Sequence, residues 1–198
     1  DIPTRSLKWK FAAQKGIYSS PAVTPEHVYF GSNDHHLYAL ETATGKEVWK
    51  FPTMGWVYSS PAVMDNLVYV GGEDARLYVL QSNSGQLVYQ YRAEVAVAVS
   101  PAVTAQAVYF ATWDPYFYAM ATTEPQLLWR FSAGGPITSS PAVAADMVYF
   151  GCHDRTLYAL QRHTGQLQSK IVLSEAIYSA PIIANGLRAY MIVMIAHL

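Results

Sequence analysis

Cysteine, runs of positive charge and long apolar stretches are all scarce in this chain. Cys152 is the only cysteine, so no internal disulfide can form, and a single thiol does not fix the redox compartment. The 13 Lys and Arg residues are scattered, and the formal net charge is −1. Non-specific attraction to nucleic acid or a membrane surface needs a basic excess, so neither is expected as a partner. The most apolar stretch, 189–196, is too short to cross a bilayer, so no membrane insertion by this chain is expected. The opening residues Asp1 to Arg5 have no apolar core behind a basic start and do not read as a signal peptide. A mature secreted chain or an excised domain would read the same. Helical periodicity is missing too: no stretch keeps an i, i+3, i+4, i+7 apolar pattern long enough for a convincing helix.

What the chain has instead is a repeat. Pro21, Pro61, Pro101, Pro141 and Pro181 follow one another at steps of 40 residues, each in a Ser-Pro-Ala-Val-like phrase. Three more phrases recur in register. They are "VYFGSND" (28–34), "LYAL" (37–40) and "TGKEVWKF" (44–51), with their counterparts 40 residues on. Each is short and rich in Val, Tyr, Phe and Leu, and Gly, Asn and Asp separate them. That is the composition of strands and turns. Four strands per unit predict an all-β β-propeller built of four-stranded antiparallel blades.

The blades are expected at about 17–51, 56–91, 97–131 and 137–171 of a single domain spanning 1–198. A lone fourth-strand phrase at 7–11 precedes them, and first- and second-strand phrases at 177–193 follow. Joined, these would make a closing sheet and a ring of five sectors, an arrangement that removes free edges. A piece of a larger ring is the competing structural reading, and open blade edges would then allow self-association. The "AY" of the last unit falls one residue late.

Several roles follow from position. Gly45, Gly85 and Gly165 sit where a tight turn asks for positive φ, and Pro125 replaces them in the third unit. Asp34, Asp74, Asp114 and Asp154 end the second strands, where a carboxylate accepts backbone N–H bonds. Trp9, Trp49, Tyr89 and Trp129 lie on fourth strands, where a large ring can cover the neighbouring sheet.

The stretch "LYALETATGKEVWKF" (37–51) resembles the repeats of the pyrroloquinoline-quinone (PQQ) type propellers. Ala39, Thr44, Gly45 and Trp49 match their tryptophan-docking motif. The other units match it in part: Ser169 stands where the fourth unit should have Trp. The resemblance covers about 7–191 and implies the fold rather than a function. It points to two branches. One holds quinoprotein dehydrogenases that use PQQ and calcium. The other is non-enzymatic and includes the propeller lipoprotein of the outer-membrane β-barrel assembly machinery and extracytoplasmic sensor domains. By that resemblance alone, the location is periplasmic or extracytoplasmic.

The residues favour the second branch. One cysteine excludes the vicinal disulfide typical of alcohol-oxidising quinoproteins, and the four turn Asp residues are spread one per blade, too far apart to share one calcium. No catalytic residue, metal site or cofactor is expected. PQQ and calcium enter only if the chain is a fragment of a quinoprotein dehydrogenase. The expected role is a non-catalytic protein- or peptide-binding scaffold or sensor module. Candidate contact residues are those where units differ. Tyr18, Trp56, Tyr58 and Tyr178 enter first strands and would rim one mouth of the channel. Trp113 and Tyr116 flank the turn at Asp114. Packing between blades is the competing role for the rim, and packing of Trp113 onto its own sheet is the competing role there.

Overall fold

The computed structural model describes residues 6–184 and 188–190. Four antiparallel sheets of four strands follow one another in chain order. Blade 1 holds β1 (Ala22–Val23), β2 (His27–Ser32), β3 (His36–Glu41) and β4 (Glu47–Pro52). Blade 2 holds β5 (Ala62–Met64), β6 (Leu67–Gly72), β7 (Arg76–Gln81) and β8 (Leu87–Arg92). Blade 3 holds β9 (Ala102–Val103), β10 (Ala107–Ala111), β11 (Tyr116–Ala121) and β12 (Leu127–Ser132). Blade 4 holds β13 (Ala142–Ala144), β14 (Met147–Gly151), β15 (Thr156–Gln161) and β16 (Leu167–Val172). A two-stranded sheet, β17 (Ile182–Ala184) and β18 (Arg188–Tyr190), comes last. The all-β propeller-like architecture read from the repeat is the one observed.

The short first strands explain the Ser-Pro phrase. Proline has no N–H to give a ladder, and each first strand starts just after it. The first serine closes the neighbouring edge: Ser59 and Ser139 Oγ accept the N–H of Gly71 and Gly151 at 3.1 and 3.2 Å. The second serine links blades. Ser20 N–H donates to Ser60 Oγ at 2.8 Å, and Ser60 N–H to Ser100 Oγ at 2.9 Å, one full repeat apart. A 40-residue step therefore becomes a chain of hydrogen bonds between neighbouring first strands.

The core lies between blades. At the first junction Tyr29, Leu37 and Ala39 of blade 1 pack on Val57, Val68, Val70 and Leu80 of blade 2. Equivalent clusters join blades 2 and 3 and blades 3 and 4. The outer part of each junction is a docked ring. Trp49 Nε1–H donates to Ser82 O at 2.9 Å and Trp129 Nε1–H to Arg162 O at 2.9 Å, each over the next blade's third turn. Gly85 (φ 68°) and Gly165 (φ 71°) form those turns in the left-handed region. A Cβ on Gly85 would come within 2.6 Å of the Trp49 ring, so the turn is glycine for space as well as for φ.

The last sheet keeps the repeat's register despite its late "AY". Ile182 pairs with Tyr190, as Ala22 pairs with Tyr29 and Ala142 with Tyr149. Residues 7–11, expected as a strand of a closing sheet, form no strand, and 191–193 lie outside the described residues. Residues 7–11 nonetheless occupy a fourth strand's position, because Trp9 Nε1–H donates to Thr42 O at 3.0 Å over the Gly45 turn.

Candidate interaction surface at one end of the blades

The loops entering each first strand lie against the turns between second and third strands. Backbone bonds tie Asn33 to Gly16, Glu73 to Trp56, Trp113 to Ala96 and His153 to Pro136, at 3.0 to 3.2 Å. These loops and turns therefore share one end of the blades, and the candidate aromatic residues collect there.

The turn carboxylates hold this end in shape. Asp34 Oδ2 accepts the Gln14 N–H at 3.0 Å and the Tyr38 hydroxyl at 2.8 Å. Asp74 repeats this with Met54 and Tyr78, and Asp154 with Gly134 and Tyr158. Each carboxylate thus pins a third strand to the loop arriving from the preceding blade. Burial pushes the Asp34 carboxyl up, but the Tyr38, Gln14 and Ser32 hydrogen bonds and the nearby His36 outweigh it, leaving its pKa below the ordinary value. Burial likewise opposes, and bonds from Tyr158, Cys152 and Thr156 win, at Asp154. Burial and the Asp154 carboxylate push the Tyr158 phenol up to about 12. The sequence reading assigned these Asp residues to turns but missed their tyrosine partners. The signal was there, as an Asp followed four residues later by Tyr in every unit.

Blade 3 breaks this pattern. In the other blades the residue after the Asp has positive φ: His35 at 67°, Ala75 at 63°, Arg155 at 70°. Blade 3 has Pro115 there, whose ring forbids that conformation. Asp114 turns instead to the Thr112 hydroxyl and to the Tyr116 N–H at 3.0 Å. Trp113, next to it, is 51% exposed rather than folded onto its sheet.

Two ring clusters flank Trp113 in blade order. Tyr58 meets Tyr18 edge-on at 5.6 Å and Trp56 at 5.8 Å, and Asn33 Nδ2 donates to the Tyr58 hydroxyl at 3.4 Å. Tyr178 lies 4.7 Å from His153, which bonds Thr138 Oγ1 through Nε2 at 2.8 Å. Tyr18, Trp56 and Tyr178 are exposed, while Tyr58 is half-buried beneath its neighbours. Beside Trp56, Lys15, His35, Met54, Glu73 and Asp74 line an open cavity of about 450 Å³. Tyr116 does not belong to this set. It starts β11 and lies under the Arg130 guanidinium, 4.2 Å from the ring centroid.

The acids do not fit a calcium site. Calcium needs several converging oxygens, and the turn Asp residues stand one blade apart, each bonding backbone N–H groups and Tyr or Thr hydroxyls, with Oδ1 of Asp34 and of Asp74 buried and accepting no hydrogen bond. Among the described residues no three His, Cys, Asp or Glu side chains come together to hold a metal. Cys152 is buried against the Gly135 and Pro136 carbonyls, and burial raises its thiol pKa to about 11, well away from a reactive thiolate.

Comparison with known proteins agrees with this architecture. The structure is similar to the crystal structure of BamB from Moraxella catarrhalis, with 20% identity, a TM-score of 0.77, and 90% of this chain covering 58% of that one. It is also similar to the computationally designed Ika8 protein, with 19% identity, a TM-score of 0.79, and 87% of this chain covering 54% of that one. The chain therefore spans just over half the length of each, and at this identity the likeness is one of fold. No curated protein matches. The family model described as outer membrane protein assembly factor BamB matches residues 1–114 and 117–193, and the chain belongs to that family.

Proposed function

We propose that this chain is a non-catalytic propeller scaffold, extracytoplasmic like the assembly factor that describes its family, and that it binds a protein or peptide partner at the aromatic end. One observation carries the reading. Where the blades differ from one another, they differ by exposing Trp56, Trp113, Tyr18 and Tyr178 at that end. Large rings on a preformed backbone supply contact area at little ordering cost, and such residues dominate binding energy at interfaces. A peptide laid across the rings and the mixed-charge cavity beside Trp56 meets all of these at once.

The test is selection of a displayed random-peptide library on the purified chain. Peptides that bind saturably and lose about tenfold or more in affinity on Trp56→Ala or Trp113→Ala support the reading. Binders indifferent to both substitutions would overturn it. Titration with PQQ and calcium tests the absence of a cofactor. A flat absorbance is expected, and a saturable spectral change would restore the quinoprotein reading.

A further inference from the structure

The repeat gives a control for every position, and four departures from it gather at one place in blade 2. Met54 stands where the other blades have Gln14, Glu94 and Gly134, and Trp56 where they have Gly16, Ala96 and Pro136. Glu73 replaces Asn33, Trp113 and His153, and Gly72 replaces Ser32, Thr112 and Cys152. Met54, Trp56 and Glu73 line the open cavity of about 450 Å³ together with Asp74. Blade 2 is packed on both faces, by blade 1 and by blade 3.

Gly72 changes the setting of Asp74. In blades 3 and 4 the residue at that position gives its turn Asp a donor: the Thr112 hydroxyl bonds Asp114, and the Cys152 thiol bonds Asp154. The Oδ1 atoms there also accept the N–H two residues on, from Tyr116 at 3.0 Å and Thr156 at 2.9 Å. In blade 1, His36 Nδ1 lies 3.4 Å from Asp34 Oδ1. Asp74 has none of these aids. Its side chain is 5% exposed, Arg76 approaches Oδ2 at 3.7 Å, and Oδ1 is buried without a donor. That oxygen lies 2.6 Å from where a Cβ on Gly72 would stand. A buried carboxylate oxygen without a donor is costly, and a donor brought by a ligand relieves it.

The surroundings fit a compact cation on an apolar stem. Glu73, half-buried in the cavity wall, makes no ion pair among the described residues, although Lys15 lines the same cavity. An ammonium is a point charge with three donors, and it suits a place where one small side chain is missing better than a planar guanidinium does. Met54 and Trp56 are exposed and offer apolar surface for the stem, and the indole face attracts the charge.

We propose that this cavity seats a lysine side chain of the peptide partner, with its ammonium between Glu73 and Asp74 Oδ1 and its methylenes along Met54 and Trp56. The proposal rests on the peptide-binding reading and names the side chain that blade 2 selects.

The first test needs no peptide. n-Butylammonium, a lysine side chain without its backbone, is titrated into the isotope-labelled chain by NMR, with n-butanol as the uncharged control. Saturable shifts of the Met54, Glu73 and Asp74 amides are expected with the amine alone. Glu73→Gln weakens that binding by about tenfold or more, and so does Gly72→Ser, which restores the hydroxyl of blade 1. Gly72 is outside the left-handed region and its nearest contact is the end of a side chain, so Gly72→Ser keeps the melting temperature. Glu94→Gln, an acid at the same end but outside the cavity, leaves binding unchanged. No saturable shift, equal shifts with n-butanol, or shifts insensitive to Glu73→Gln and Gly72→Ser overturn the proposal. The second test takes library-selected peptides that depend on Trp56. Each is expected to carry a lysine whose replacement by norleucine costs about tenfold or more in affinity. Trp56-dependent peptides that bind without lysine, that bind as well with arginine in its place, or that need a free N-terminal amine instead overturn the lysine seat and leave the peptide-binding reading standing.

Discussion

The junction between blades 1 and 2 and the junction between blades 2 and 3 meet the same demand with different residues. At the first, Trp49 docks on a glycine turn and bonds Ser82 O at 2.9 Å. At the second, Tyr89 docks on a turn containing Pro125, and its hydroxyl reaches Ala121 O at 2.6 Å. The bulkier ring goes with the residue that has no side chain, and the smaller ring with the one that does. Departures from the repeat therefore come in coupled pairs. Blade 3 collects them, with Pro125, Pro115 and the exposed Trp113 all in one unit.

The hardest way to break this comparison is to crowd the first junction. Gly85→Val forces a branched residue to positive φ and drives its Cβ into Trp49, and should cost about 3–5 kcal/mol in urea unfolding. Trp49→Ala leaves the turn intact but empties the junction, at a cost of about 3 kcal/mol. Tyr89→Trp sharpens the contrast. Alone it overpacks the second junction by about 1–3 kcal/mol, and Pro125→Gly should recover part of that, giving a double-mutant coupling above about 0.5 kcal/mol. Additive effects would break the paired account.

Smaller effects should come from pH. Asp34 and Asp154 have folded-state pKa values below their unfolded ones. Their contribution is present above the unfolded carboxylate pKa, near 4, and is lost as pH falls through the folded values. Asp34→Asn and Asp154→Asn should flatten that acid limb in melting curves. Tyr158 runs the other way. Its phenol is raised to about 12, so its contribution is whole below pH 10 and is lost as pH rises toward 12. The smallest effect is expected at Trp56→Ala and Trp113→Ala, within about 0.5 kcal/mol in stability, because both rings are exposed.

Most of the fold was legible because the period and the strand composition are local facts. Phrases such as "VYFGSND" name strands, and the 40-residue step names their order. The tryptophan docking was legible in outline, since Gly45 and Trp49 belong to one motif and Gly85 repeats Gly45 in the next unit. The Ser20–Ser60 link and the Asp34–Tyr38 clamp were not read, because they depend on which way a side chain faces once blades stack. The Arg130 side chain over Tyr116 was not read for the same reason: sequence neighbourhood to Trp113 says nothing about what covers that ring. Trp113 was placed at a turn tip from sequence, but its exposure follows from Pro115, whose locked φ rules out the turn used by the other blades.

The central claim is that binding resides where blades depart from the repeat. The direct measurement is the affinity of one library-selected peptide for two sets of exposed-residue variants. Tyr18→Ala, Trp56→Ala and Trp113→Ala change positions where the blades differ, and Val48→Ala, Val88→Ala and Leu128→Ala change positions where they agree. The account predicts losses of about tenfold or more in the first set and none in the second. Equal losses in both sets, or losses confined to the second, would contradict it.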